Sequence, residues 1–203
     1  MAIDEMVRTS VDENGVGTET AVFSDLMARI NTLEHRVAEL EEAPAQDIED
    51  RLAMVVFSGD LDKAIAAFII ATGAAAMGLE VSMFFTFWGL SVIKKQTLYE
   101  NKNIWERGFA MMLPGGSDNL SLSQMSYFGA GSKIIRKLMR DHGVASLEDL
   151  MEMAREFDVR MVACDMSREL LGVHDEELMD GVELGGVATF MADASRAKAS
   201  LFI

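Results

Sequence analysis

Apolar residues follow two patterns along the chain: a helical spacing near the start, then short continuous runs. The helical spacing of 3, 4, 3, 4 and 3 joins Phe23, Leu26, Ile30, Leu33, Val37 and Leu40. It is the a/d seam of a coiled coil, and it predicts one helix over about residues 23–42. The seam indicates self-association, with a helix folded back on its own domain as the alternative. Residues 1–20 lack the pattern and are expected to be irregular, and Pro44 indicates a linker.

After residue 51 the pattern alternates between apolar runs and helical segments. The runs at 52–57, 80–88, 159–164 and 201–203 predict strands, the second of them closed by Gly89. The segments at 61–77, 132–141 and from 146 onward predict helices, with Asp60 and Ser146 as N-caps and Asp149 completing a capping box. This alternation predicts an α/β fold, a doubly wound and mainly parallel sheet of the flavodoxin-like or Rossmann-like kind.

One stretch of this domain is apolar enough to raise the question of a membrane span. Residues 64–93 contain a single charged residue, Glu80, and their length would cross a bilayer. Gly73 and Gly78 interrupt the run, strand-type composition follows helix-type composition, and no basic flank precedes it. We therefore expect an interior helix and strand rather than membrane insertion. By contrast, residues 101–126 are irregular, and their Pro114 turn predicts a long excursion near the site.

Charge divides the 203 residues into two parts. Residues 1–50 hold 13 acidic and 3 basic side chains, and the remaining residues hold 20 and 15, for a net charge of −15. We therefore predict an acidic N-terminal arm at 1–50 and an α/β domain at 51–203, with a salt-rich habitat as another explanation of the acidity. The acidity disfavours nucleic-acid binding. A single cysteine and a polar start without a signal sequence favour a reduced, cytoplasmic protein.

The single cysteine, Cys164, is the main candidate for chemistry. It ends a predicted strand just before a helical stretch, where ligands bind in parallel sheets and where a helix start can stabilise a thiolate. Asp165 opposes that effect by its charge. The residues alone leave open whether Cys164 is reactive or a small buried hydrophobe.

Other motifs are weaker. The loop after residue 57 lacks the glycine spacing of a phosphate loop, and the three histidines are not at metal-ligand spacing, so we predict neither a metal nor a cofactor.

Several segments of the domain resemble the DsrE/DsrF/DrsH-like family. They are VVFSGDLDKA at 55–64, MMLPGG at 111–116, Gly129 and Gly131, VACDMSRELLGVHDEEL at 162–178, DGVELGGVATF at 180–190 and the closing LFI. The resemblance covers about residues 52–203 and leaves the heptad helix outside. It implies a sheet of about five parallel strands, a homo-oligomer and sulfur relay through a cysteine persulfide, with Cys164 at the family's cysteine position. Asp165 stands where that pattern has glutamine, which changes the charge beside the thiol.

These observations favour a sulfur carrier or sulfurtransferase-like protein that exchanges sulfur with a donor or acceptor protein. Cys164 is its expected catalytic residue. The expected pocket walls are Ser58, Gly59, Trp88, Pro114, Gly116, Met166 and Ser167. The alternative is a non-enzymatic oligomeric binding or scaffold protein with a structural, buried cysteine. A thiol peroxidase is a third possibility, but the sequence does not offer the arginine and threonine environment that such chemistry needs.

Overall fold

The chain divides into two units after residue 46, and each is described by itself. The computed structural model describes residues 15–42, 48–99, 102–124 and 129–203. The predicted linker at Pro44 and the first 14 residues lie outside these ranges.

The described part of the first unit is a helix, α1, at Gly15–Glu42. It begins eight residues before the predicted start, so the prediction of irregular structure is wrong for residues 15–20. The physical reason is that extending an existing helix costs little once its first turn has formed. The seam side chains from Phe23 to Val37 are all 43–64% exposed. The side chain of Leu40 lies outside the described part.

The second unit is built on a five-stranded sheet in which every pairing is parallel, in the order β4-β3-β2-β1-β5. The strands are β1 Glu49–Val56, β2 Glu80–Phe85, β3 Arg160–Cys164, β4 Glu183–Gly185 and β5 Ala197–Phe202. This sheet and its flanking helices confirm the predicted α/β fold.

In the described part of the chain, six α-helices connect the strands. They are α2 Leu61–Ala76, α3 Ile104–Met112, α4 Ala130–Asp141, α5 Leu147–Glu156, α6 Asp165–Leu171 and α7 Val187–Ala194. Ser146 and Asp149 form the predicted capping box of α5. Asp60 stands at the N-cap of α2, but its side chain makes no capping hydrogen bond and is held by Ser58 instead.

Strand alternation separates two apolar layers. Met54, Met83 and Met161 belong to the main core, which includes buried residues of α2 and α5. Phe84 and Val162, one residue further along their strands, belong to a smaller cluster on the opposite face, and this cluster packs against Phe190 of α7. Helices therefore pack on both faces of the sheet, while most residues of β5 are exposed.

The connection after β2 differs from the prediction. The strand ends at Phe85 instead of continuing to residue 88, and a 3-10 helix follows at Phe87–Ile93. This segment crosses the end of β1 so closely that a Cβ atom on Gly89 would lie 2.1 Å from the carbonyl oxygen of Val56. Only glycine fits there, and the close crossing is the reason the strand stops early.

Two further segments contain structure that the sequence did not predict. The excursion at 101–126 contains helix α3, which begins with a capping box formed by Asn103 and Glu106. The glycine-rich segment at 180–190 contains β4 and the start of α7.

The apolar stretch at 64–93 forms the rest of α2, all of β2 and the 3-10 helix. Within the described ranges, no helix combines the length and the apolar character needed to cross a bilayer.

Candidate functional site

Cys164 is the last residue of β3, and it occupies the N-cap position of α6. Its Cα pairs in register with that of Gly185 at the end of β4. Because side chains alternate along a strand, the thiol shares the smaller apolar layer with Val162 and Phe84. Cys164 is 2% exposed, so the thiol is enclosed by hydrocarbon.

The ring that closes this layer belongs to Phe190 of α7. It lies 5.6 Å from the ring of Phe84, centroid to centroid, and Phe190 itself is only half-buried. Gly185 leaves the space that this packing needs, since a Cβ atom there would lie 2.8 Å from Val162 and 3.0 Å from the Thr189 hydroxyl. Phe190 of α7 is therefore a half-buried ring packed against the layer that contains the thiol.

The far end of α7 is held by a polar network at the amino ends of the strands. The buried Asp193 carboxylate accepts hydrogen bonds from Arg51 at 2.6 Å, Arg160 at 2.8 Å and the Ser82 hydroxyl at 2.8 Å. The start of the helix, at Val187, is exposed. Helix α7 is thus anchored at its C-terminal end, while its first residues follow a pair of glycines.

The residues just after Cys164 tie α6 to the sheet. The Ser167 hydroxyl is fully buried and lies 2.8 Å from that of Thr86, directly after β2. The Asp165 carboxylate lies 3.3 Å from the Arg168 guanidinium, which also contacts Asp175 at 2.8 Å. The negative charge that follows the cysteine is therefore paired with an arginine of the same helix.

A separate cavity of about 370 Å³ lies at the carboxyl end of β1. Four of the predicted pocket residues line it together: Ser58, Gly59, Trp88 and Pro114. Its polar side includes the ion pair between Asp60 and Lys63, with 2.9 Å between the carboxylate and the ammonium.

The other predicted residues lie elsewhere. Cys164, Met166 and Ser167 belong to the end of β3 and the start of α6, and Gly116 lies against the backbone of Lys94. The ends of β1 and β3 are separated by β2, hence by about 10 Å at ordinary strand spacing. The structure therefore separates the predicted residues into those at the buried thiol, those lining a neighbouring cavity, and Gly116, which belongs to neither group.

The structure contains a buried ionic cluster that was not predicted from the sequence. Glu177 is fully buried, and its carboxylate is paired with Lys102 and, at 3.2 Å, with Lys94. The backbone N–H of His174 also donates to the carboxylate, at 3.2 Å. Two cations and one anion are enclosed together. Glu177 lies 75 residues after Lys102 and follows no spacing rule with either lysine, so no sequence signal indicated that the three meet.

The charges of this cluster shift one another's protonation. Burial would raise the pKa of Glu177, but the hydrogen bonds from Lys102 and His174 and the charge of Lys94 together lower it. Burial lowers the pKa of Lys94, helped by the charge of Lys102 and opposed by Glu177. The carboxylate is therefore kept ionised by its neighbours.

Comparisons with known proteins bear on residues 48–202, which match a model of the DsrE/DsrF/DrsH-like family. The chain is 46% identical over 154 residues to the uncharacterized protein YrkE of Bacillus subtilis strain 168, covering 75% of this chain and 96% of YrkE. It is 36% identical over 159 residues to the sulfur carrier protein DsrE2 of Allochromatium vinosum, covering 76% and 99%. The crystal structure of the ychN protein from E. coli matches with a TM-score of 0.42 and 13% identity, over 75% of this chain and 99% of that one.

Proposed function

The chain belongs to the DsrE/DsrF/DrsH-like family, as its sequence predicted, and on this premise we propose that it relays sulfane sulfur through a persulfide on Cys164. The observation that carries the proposal is the position of the only cysteine, at the carboxyl end of β3. The relative named as a sulfur carrier, 36% identical over almost its whole length, supports the same class of activity.

The proposed reaction needs no external oxidant. The Cys164 thiolate attacks the outer sulfur of a donor such as thiosulfate, the donor's S–S bond breaks, and sulfite leaves with the bonding electron pair. The product is a cysteine persulfide. An acceptor thiolate then attacks the outer sulfur of the persulfide, and the Cys164 thiolate is the leaving group.

Three features near the thiol support this chemistry. The start of α6 presents the positive end of a helix to the residue at its N-cap. The pairing of Asp165 with Arg168 reduces the opposing charge beside the thiol. The apolar layer of Phe84, Val162 and Phe190 would shield a persulfide from water once it had formed.

A buried thiol needs a path for the donor, and we place that path under α7. Phe190 is the half-buried part of the layer, and the polar network that holds α7 lies at the other end of the helix, at Asp193. In Phe190→Ala, alkylation of the native thiol should therefore be faster. Met191→Ala, on the same helix and at an exposed position, is the matched control and should alkylate at the wild-type rate.

The acceptor must be another molecule or another copy of the chain. The sequence has one cysteine, so the persulfide cannot be resolved within the chain as a disulfide. The β1 cavity, lined by Ser58, Gly59, Trp88 and Pro114, is our candidate surface for a donor or acceptor. Trp88→Ala should slow sulfur exchange with a protein acceptor while leaving loading from thiosulfate unchanged.

The direct test is the mass of the intact protein after exposure to thiosulfate or polysulfide. Wild-type protein should gain about 32 Da per sulfur atom and lose it with dithiothreitol. Cys164→Ser should gain nothing while keeping the circular dichroism spectrum of the wild type.

The rival function is a non-enzymatic scaffold with a structural cysteine, favoured by the 2% exposure of Cys164. A wild-type protein that stays unmodified, and whose thiol resists alkylation in the native state, would establish that rival. The same result for Phe190→Ala would also exclude the proposed path under α7.

A further inference from the structure

Helix α1 carries an apolar surface that the family domain does not explain. The family match begins at residue 48, so the whole helix lies outside it. Over the part with described side chains, 22–38, every residue is exposed. Its seam residues include Phe23 at 64%, Leu33 at 59% and Val37 at 51% exposure. A continuous stripe of large, exposed apolar side chains is typical of a surface that binds a partner.

The residues within the stripe select the kind of partner. Taking Phe23 as the first a position, Ile30 and Val37 occupy the following a positions, and leucines at 26 and 33 occupy the d positions. β-branched residues at a combined with leucine at d favour two parallel helices over trimers and tetramers. We propose that α1 pairs with α1 of a second copy as a parallel, in-register, two-stranded coiled coil.

The charges beside the stripe independently favour the same arrangement. In this register, Arg29 and Arg36 occupy g positions, and Glu34 occupies the intervening e position. In a parallel dimer each g residue faces the e residue five positions later on the other helix. Arg29 then faces Glu34 of the second copy, and Arg36 faces Glu41 by sequence position.

An antiparallel pair of the same helices would lose this complementarity. It sets g positions against g positions and e positions against e positions, so arginines would face arginines and glutamates would face glutamates. Like charges at these positions disfavour an assembly. Arg29 is also paired with Asp25 one turn earlier, at 3.3 Å. Both side chains are well exposed, and such a surface pair is weak, so Arg29 can pair with Glu34 of the second copy as well as, or instead of, with Asp25.

The arrangement has a consequence for the protein as a whole. Parallel, in-register helices bring both chains out of the coil at the same end. Two copies of the domain that contains Cys164 are then tethered by a few residues each, which raises the effective concentration of one domain near the other. The coiled coil covers fewer than three heptads, so we expect a dimer that weakens on dilution.

Orientation is tested by crosslinking the full chain in a Cys164→Ser background. With Leu26→Cys, at a d position near one end of the seam, mild oxidation should give a covalent dimer. Ala28→Cys, on the outer face of the helix, is the matched control and should remain largely monomeric on a denaturing gel. Crosslinking of Leu26→Cys only when it is mixed with Val37→Cys would show an antiparallel pair and overturn the proposal.

The charge pairing is tested by reversing the charges of Arg29 and Glu34, first singly and then together. Arg29→Glu and Glu34→Arg should each weaken dimerisation on the order of tenfold, since two attractive contacts become repulsive. The double variant should recover the wild-type affinity, measured by light scattering over a dilution series. If the charge variants leave the mass unchanged and Leu26→Cys does not crosslink, the helix is covered by its own chain or by another protein, and the proposal fails.

Discussion

The buried ionic cluster leads to a prediction whose size follows from its charge balance. Among the described residues, Glu177 is the anion paired with two buried ammonium groups, those of Lys94 and Lys102. Glu177→Gln keeps the shape of the side chain but leaves two like charges without a counterion. Breaking a buried ion pair by removing one partner costs about 3–5 kcal/mol, and we expect this variant to fall in that range.

Lys102→Met is the informative comparison. It removes one cation and leaves Lys94 and Glu177 as a neutral pair, so the expected loss is less than about 2 kcal/mol. The order of the two effects therefore depends on charge balance and not on the number of contacts removed. A view of the cluster as ordinary packing predicts similar losses for both variants.

The assay is urea unfolding followed by circular dichroism at a fixed protein concentration. With a slope of about 2 kcal/mol per molar urea, a loss of 3–5 kcal/mol moves the midpoint down by about 1.5–2.5 M. A domain of ordinary stability, about 5–15 kcal/mol, stays folded without urea after such a loss in most of that range. The reasoning is refuted if Glu177→Gln lowers the free energy of unfolding by less than about 1 kcal/mol. It is also refuted if Lys102→Met lowers that free energy as much as Glu177→Gln does.

Three further predictions concern stability. Because the pKa of Glu177 is lowered in the folded protein, the stability gap between wild type and Glu177→Gln should be constant above about pH 5 and close as the pH falls below about 4, in urea titrations at each pH. Gly89→Ala should destabilise the protein severely, because its Cβ would lie 2.1 Å from the Val56 oxygen. Gly73→Ala, with open space around its Cβ, should raise the melting temperature. Equal effects of the two variants would contradict the close crossing at Gly89. Asn103→Ala should cost about 1 kcal/mol of helix stability by removing the cap of α3, with faster amide exchange confined to that helix.

The parts of this fold that depend only on residues close together in sequence could be predicted from the sequence. The capping box at Ser146 and the apolar runs that became β1 and β3 could be read because cap chemistry and buried strands leave short patterns. Strand β4 could not be read, because three residues are too few to show a period. The early end of β2 depends on the contact of Gly89 with a different strand, and such a contact leaves no local pattern.

The site shows the same division. The end of β3 and its cysteine followed from the order of apolar and polar residues, and the alternation of side chains along that strand accounts for Val162 and Cys164 sharing a layer. That Phe190 closes this layer depends on α7, which the sequence did not predict. The ionic cluster depends on three separate segments of the chain, so only the folded structure brings it into view.

The place of β1 in the sheet has a consequence for synthesis of the protein. One edge of β1 is paired with β2, which begins at Glu80, and the other with β5, which begins at Ala197. At roughly 5–20 residues per second, a ribosome needs on the order of ten seconds to add the residues between β1 and β5. Throughout that interval the growing chain carries an unpaired strand edge beside apolar side chains. We therefore expect chaperones to bind the chain mainly during this interval.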